Sequence, residues 1–302
     1  MSTIRDYLRL HFIVLLWGFT AIIGKLISIP PVELVLLRTF FAAVTLGLVI
    51  AYTRRTIRFH GLRNKLLVII AGVLIATHWI LFFLAAQLAN VSVCLAGMAT
   101  TAIWTSLIEP LSMNKRIKPY ELLIGGLGFV GILVIFQDDF QYGLGFTVAV
   151  GSALLSAFFT VINGHLIRTN DPVTISCYEM SFAAIAVTLF LPAYQTYMAT
   201  APLHLIPRGP DWIYLFVLVI VCTVYAYTVS VALMRRLSAF TINLIINLEP
   251  VYGIILALIL FGASEEMSSS FYFGTGIILL SVLIYPPLQQ YMHNRSQNMD
   301  LL

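Results

Sequence analysis

Residues 31–52 read PVELVLLRTFFAAVTLGLVIAY. The run is continuously apolar, and only Glu33 and Arg38 carry charge. About 20 such residues cross the ~30 Å hydrocarbon core of a bilayer as a helix. A barrel strand would alternate polar and apolar positions, and an unpaired strand cannot exist in lipid. The segment therefore reads as a membrane-spanning helix opened by a proline.

Similar runs recur along the chain, at approximately 10–29, 32–52, 66–86, 93–113, 120–136, 142–167, 173–194, 212–234, 239–262 and 271–290. The run at 120–136 is at the short limit for a span. Composition agrees. The 302 residues are 60% hydrophobic and 10% charged, whereas a soluble domain is about 25% charged. That depletion excludes an ordinary soluble enzyme, a disordered regulator and a nucleic-acid binder. The expected fold is an all-α polytopic membrane protein with ten transmembrane helices. Arg5 and Arg9 precede the first apolar stretch, as in a signal peptide, but no small-residue cleavage site follows. A retained first helix is expected. Cys94, Cys177 and Cys222 lie inside apolar runs without metal-ligand spacing and read as small buried hydrophobes.

The basic residues set an orientation. If the N-terminus is inside, the inside segments carry Arg5 and Arg9, then Arg54, Arg55, Arg58, Arg63 and Lys65. Lys115, Arg116 and Lys118 follow, then Arg168, then Arg235 and Arg236, then Arg295. The outside loops carry Arg208 and the acids Asp138, Asp139, Asp211, Glu265 and Glu266. This skew predicts N-in, C-in. The net charge of +4 is a sum over these loops and does not point to a polyanion partner.

The stretch that opened this reading has an echo. Residues 172–193 read PVTISCYEMSFAAIAVTLFLPA. Pro31-Val32 is followed ten residues on by Phe41-Ala42-Ala43-Val44, and Pro172-Val173 by Phe182-Ala183-Ala184-Ile185 at the same spacing. Gly18-Phe19 with Lys25-Leu26 likewise parallels Ala157-Phe158 with His165-Leu166. The expected organisation is two five-helix repeats, residues 1–141 and 142–302. Five is odd, so the copies would lie oppositely in the bilayer, a transporter signature.

The chain also resembles a known family. Trp17-Gly18, Arg38, Glu109-Pro110 before a short basic loop, and His78-Trp79-Ile80-Leu81-Phe82-Phe83 followed by Asn90-Val91-Ser92-Val93 are similar to the pattern of EamA-type members of the drug/metabolite transporter superfamily. The resemblance implies ten helices in two inverted repeats around a central cavity. It implies export of amino acids or other small metabolites across the bacterial inner membrane. Glu249-Pro250 falls where that family often has a proline.

Charged and polar residues in the spans are the site candidates, because a charge at mid-bilayer costs about 2.5–3.5 kcal/mol on insertion scales. Arg38 and Glu179 each lie seven residues from the proline that opens their helix, ~10 Å deep from opposite faces. Two readings stay open. They pair and hold the helices, or they flank a zwitterionic substrate, Arg38 at its carboxylate and Glu179 at its ammonium. Asn243 and Asn247 share a face beside Glu249, in a helix interrupted by Pro250. Ser152, Ser156, Thr160 and Asn163 form a stripe at helical spacing. Trp79, Trp104, Tyr178 and Tyr225 are expected to wall the substrate with them, and Trp17 and Tyr227 are further aromatic candidates. Glu179, Glu249 and His78 are the proton-coupling candidates. Lys25 is expected to snorkel to the headgroups, and Glu109 to be interfacial. Gly126-Leu127-Gly128-Phe129-Val130-Gly131 matches a dinucleotide fingerprint, but it sits in an apolar helix without a preceding strand and reads as close helix packing. No catalytic motif, metal site or cofactor is expected. The expected partners are an amino-acid-like metabolite, the bilayer and protons. An importer, exchanger or facilitator is the second reading, and a membrane-embedded enzyme a more distant one.

Overall fold

The computed structural model describes residues 3–59, 61–112, 118–135, 142–199, 201–262 and 268–299. Lys115, Arg116, Asp138, Asp139, Glu265 and Glu266 lie outside the described residues. Within them the chain is helical, with no strand. The helices are α1 (Ile4–Leu26), α2 (Pro31–Thr53), α3 (Leu62–Leu88), α4 (Val91–Met98), α5 (Thr101–Ser112), α6 (Pro119–Ile135) and α7 (Gly143–Leu166). They continue with α8 (Pro172–Tyr197), α9 (Asp211–Phe216), a π-helical stretch (Val217–Tyr225), α10 (Ala226–Leu233), α11 (Ala239–Ile246), α12 (Glu249–Phe261) and α13 (Ser269–Met299). Among the described residues, eight helical segments are long and apolar enough to cross a membrane, and the apolar part of α13, Ser269–Tyr285, is shorter. Helix α6 has 17 residues.

Local chemistry explains the boundaries. Both echo helices begin with proline in their first turn, where its missing N–H is no loss and its φ is already helical. Asp171 caps α8 by accepting from the backbone N–H groups of Val173 and Thr174. Helix α2 stops at Arg54, whose left-handed φ of 52° turns the chain.

Two of the apolar runs read as single spans are broken in the middle. The run 93–113 divides into α4 and α5, and the run 239–262 into α11 and α12. The two have a common form. Each opens on a side-chain cap, Asn90 accepting from the Val93 N–H and Ser238 from the Thr241 N–H. Each then runs eight residues before the break. Helix α4 packs on α12 and α5 on α11, with the Asn243 amide donating to Thr105 Oγ1 at 2.8 Å.

Contacts between distant segments sort the helix ends into two sets. At one end Arg55 pairs with Asp171 at 2.7 Å, and Arg236 with Asp6 at 3.2 Å. Asn64 donates to Thr169 there, and Arg235 to the Asn170 carbonyl. This is the basic end. At the opposite end Asp211 accepts from the backbone and hydroxyl of Ser28. Lys25, exposed, lies 4.4 Å from the centre of the Phe261 ring. Glu109 lies at the basic end, as expected of an interfacial residue, but is not freely solvated. It is buried, and Oε2 accepts from the Phe240 N–H in the first turn of α11, where a carboxylate meets unsatisfied donors.

One large apolar core joins α1–α4, α7–α10 and α12, and a smaller one centred on Phe240, Leu244 and Tyr285 seats α6 and α13 against α5 and α11. Of the fingerprint-like glycines, Gly126 meets open space and Gly131 serves packing. A Cβ added at Gly131 would lie 2.6 Å from the Gly274 carbonyl oxygen, a helix–helix approach only a small residue permits.

Candidate functional site

A narrow cavity lies between the helices, lined by residues that include Trp17, Thr20, Arg38, His78, Trp79, Ser156, Thr160, Tyr227, Ser230 and Glu249. Its one fixed cation among these is Arg38, 3% exposed. The guanidinium lies over the Trp79 ring, 3.8 Å from its centre, and Nε donates to Thr223 Oγ1 at 2.7 Å. Cation–π contact and one hydrogen bond hold the fork in a fixed plane. Its Nη atoms have no hydrogen-bond partner among the described residues, so two parallel donors remain for a planar anion. Glu249 lines the same cavity and lies within electrostatic reach of Arg38.

The π-helical stretch places Thr223. Its hydroxyl donates to the Leu218 carbonyl, five residues back, while accepting from Arg38. The Trp17 indole N–H donates to the Cys222 carbonyl at 2.9 Å. Such wide turns are rare and frequent at functional sites. No residue type in 217–225 announces one; the segment is simply apolar and rich in β-branched residues.

Arg38 and Glu179 do not pair. Arg38 turns toward the π-helical stretch and Trp79. Glu179, fully buried, turns the other way and accepts from the Tyr227 hydroxyl at 3.0 Å. Asn163 donates to that same hydroxyl at 2.8 Å. Tyr227 lines the cavity and Glu179 does not, so the phenol stands between the carboxyl and the open space. Glu179 Oε1 and Asn163 Oδ1 have no hydrogen-bond partner among the described residues. The stripe on α7 faces this wall throughout. Ser156 and Thr160 line the cavity, Asn163 holds Tyr227, and Ser152 both donates to the His78 carbonyl and meets His78 Nδ1 at 2.7 Å.

The other sequence candidates lie elsewhere. Tyr225 is 47% exposed and meets Phe12 edge-on at the outer surface. Tyr178 donates to the Ile57 carbonyl at the basic end. Trp104 packs against the apolar core. Asn243 and Asn247 are buried in and beside the break between α11 and α12, with Asn243 engaged by Thr105. None of these five lines the cavity. Asn247 falls at the break between α11 and α12 and Tyr225 ends the π-helical stretch, so neither follows an unbroken count of 3.6 residues per turn. Sequence reasoning also passed over Thr20, Met98, Phe159, Ser230, Met234 and Ile246, which line it. Small polar and apolar residues carry no distinguishing signal in a membrane helix.

Met234 lines both this cavity and a larger vestibule at the basic end, walled by residues that include Glu109, Arg168, Asn170, Asp171, Arg235 and Arg236. A flexible thioether thus separates the two spaces.

The EamA-like transporter family model matches residues 8–137 and again 143–285. The chain belongs to the EamA-like transporter family. This EamA-like chain is 24% identical over 191 residues to an uncharacterized transporter of Archaeoglobus fulgidus, covering 62% of the chain and 68% of that relative. A solved crystal structure superimposes with a TM-score of 0.69 at 18% identity, over 95% of the chain and 99% of its own length; that likeness is one of fold. The EamA-like chain is thus a multi-pass membrane protein of a transporter family.

Proposed function

We propose that the chain is a secondary-active exporter of a small amino-acid-like metabolite, working by alternating access about the cavity. One observation carries the reading. A fixed guanidinium with free Nη donors and a carboxyl, Arg38 and Glu249, share one small aromatic-walled space. That arrangement suits a zwitterion with an apolar side chain, the carboxylate in the Arg38 fork and the ammonium toward Glu249. The aromatic walls of Trp17, Trp79, Phe82, Phe159 and Tyr227 suit the side chain.

The architecture in this reading is ten helices in two inverted repeats, residues 1–141 and 142–302, N-in and C-in in a bacterial inner membrane. The shared form of α4–α5 and α11–α12 supports it. One opens at the end opposite the basic one and the other at the basic end, as inverted copies would. The two stretches matched by the family model support the same division. With the basic end cytoplasmic, the vestibule is the loading side for export, and Met234 its gate.

Energy would come from a proton gradient. Glu249 is the proton carrier in this reading, because it faces both Arg38 and the substrate space. His78 tunes it from the cavity lining, and Glu179 from behind the wall through Tyr227. In proteoliposomes, a pH gradient is expected to drive net flux of a labelled apolar amino acid at least tenfold above the rate without one. Glu249→Gln is expected to abolish that stimulation while retaining exchange of labelled for unlabelled substrate. Gradient-driven flux in Glu249→Gln equal to the wild type would overturn the assignment.

A further inference from the structure

We propose that a second site, a groove between α3 and α8 at the basic end, binds an anionic phospholipid. It is lined by Ile57, Arg58, Phe59, Lys65, Val68, Ile69, Tyr178 and Phe182. It is separate from the cavity, and the transport reading does not use it.

The lining is ordered by depth. Arg58 and Lys65, both exposed, stand at the mouth, Arg58 in the α2–α3 connection and Lys65 in the first turn of α3. Below them lie Val68 and Ile69 on α3 and Phe182 on α8, one face of each helix. The floor closes at Gly72, where an added Cβ would lie 2.7 Å from Phe182 Cβ and 2.8 Å from the Glu179 carbonyl oxygen. From Lys65 to Ile69 the lining on α3 runs four residues, ~6 Å down the helix. Two cations at headgroup level above an apolar trough at acyl level match a phosphate with a hydrocarbon chain beneath it. Basic pockets between spans recognise anionic headgroups in this way.

The rim is a formed structure. The Tyr178 hydroxyl donates to the Ile57 carbonyl, and the Thr174 hydroxyl to the Thr56 carbonyl. Phe59 packs edge-on against Tyr178, ring centres 5.1 Å apart. These bonds strap the α2–α3 connection onto α8. A lipid seated there touches three elements at once, and α8 is the helix that carries Glu179.

Charge alone would attract anionic lipid to any basic loop, so the test separates site from surface. Native mass spectrometry of the full chain in detergent would titrate phosphatidylglycerol, phosphatidylcholine and glycerol 3-phosphate separately. Phosphatidylglycerol is expected to bind at least tenfold more tightly than phosphatidylcholine, and glycerol 3-phosphate not to bind measurably. The double variant Arg58→Gln/Lys65→Gln is expected to weaken phosphatidylglycerol about tenfold. Arg5→Gln/Arg63→Gln, equal in charge but outside the groove, is expected to change it less than twofold. Ile69→Trp, which fills the trough from a position 37% exposed, is expected to weaken lipid binding without changing the melting temperature of the lipid-free protein. Equal losses in the two double variants would reduce the effect to surface charge and overturn the proposal. So would equal affinity for the two lipids, or binding of glycerol 3-phosphate as tight as the lipid.

Discussion

Replacing Arg38 by Gln is expected to lower transport of an apolar amino acid on the order of a hundredfold, in a protein that still folds. Arg38 is buried over Trp79 and tied to Thr223. It is the one cation among the residues lining the cavity. Losing one member of a desolvated, hydrogen-bonded charge pair costs about 2–5 kcal/mol, and each 1.4 kcal/mol is tenfold. Arg38→Lys keeps the charge but loses the planar fork and its stacking on the indole. It is expected to recover less than a tenth of wild-type flux. Initial rates in proteoliposomes, with size-exclusion profiles as the check on folding, measure both. Wild-type flux in Arg38→Lys would show that the guanidinium geometry is irrelevant. Thr223→Val removes the acceptor of the Arg38 Nε bond, and a smaller loss is expected there, because the Trp79 contact remains.

Gly72→Leu is expected to cause the largest loss of stability among single substitutions on α3. The added Cβ alone would meet Phe182 Cβ, the Glu179 carbonyl oxygen and the Ala183 nitrogen, all within 3.1 Å. Two of these three are backbone atoms, which cannot swing aside as a side-chain tip does. Overpacking costs typically 1–3 kcal/mol, and here the relief must come from separating α3 and α8. A lowered melting temperature in detergent checks the prediction. Gly47→Leu on α2 is the control, since nothing lies within 4 Å of its added Cβ. Equal melting temperatures for the two variants would mean that the α3–α8 approach is not tight. The contact also matters to the site, because the same turn of α8 carries Glu179.

Much of this was legible before any coordinates. Apolar run length gave the helices, and the paired prolines at Pro31 and Pro172 marked helix starts. The scattered basic residues foretold which helix ends meet, as Arg55 with Asp171 and Arg236 with Asp6. Arg38, His78 and Glu249 stood out as polar groups in hydrocarbon and Trp79 as an aromatic wall, and the cavity gathers all four. What stayed hidden was helix phase. Tyr225 and Tyr227 are two residues apart, and both read as cavity aromatics. One faces outward beside Phe12 and the other holds Glu179 and Asn163. The π-helical stretch ends between them, and nothing in an apolar β-branched run encodes its extra-wide turns. Pro250 marked the break at 247–248, but the one at 99–100 was hidden for a similar reason. Continuous hydropathy does not register a turn whose backbone groups are satisfied inside the protein.

The central claim is that one cavity reads both charges of a zwitterion. Competition against a labelled apolar amino acid tests it directly, using the same compound with its carboxylate amidated and with its ammonium removed. Both analogues are expected to compete at least tenfold more weakly than the parent. In Arg38→Gln the amidated analogue and the parent are expected to become equivalent. Analogues that compete as well as the parent in the wild-type protein would contradict the account.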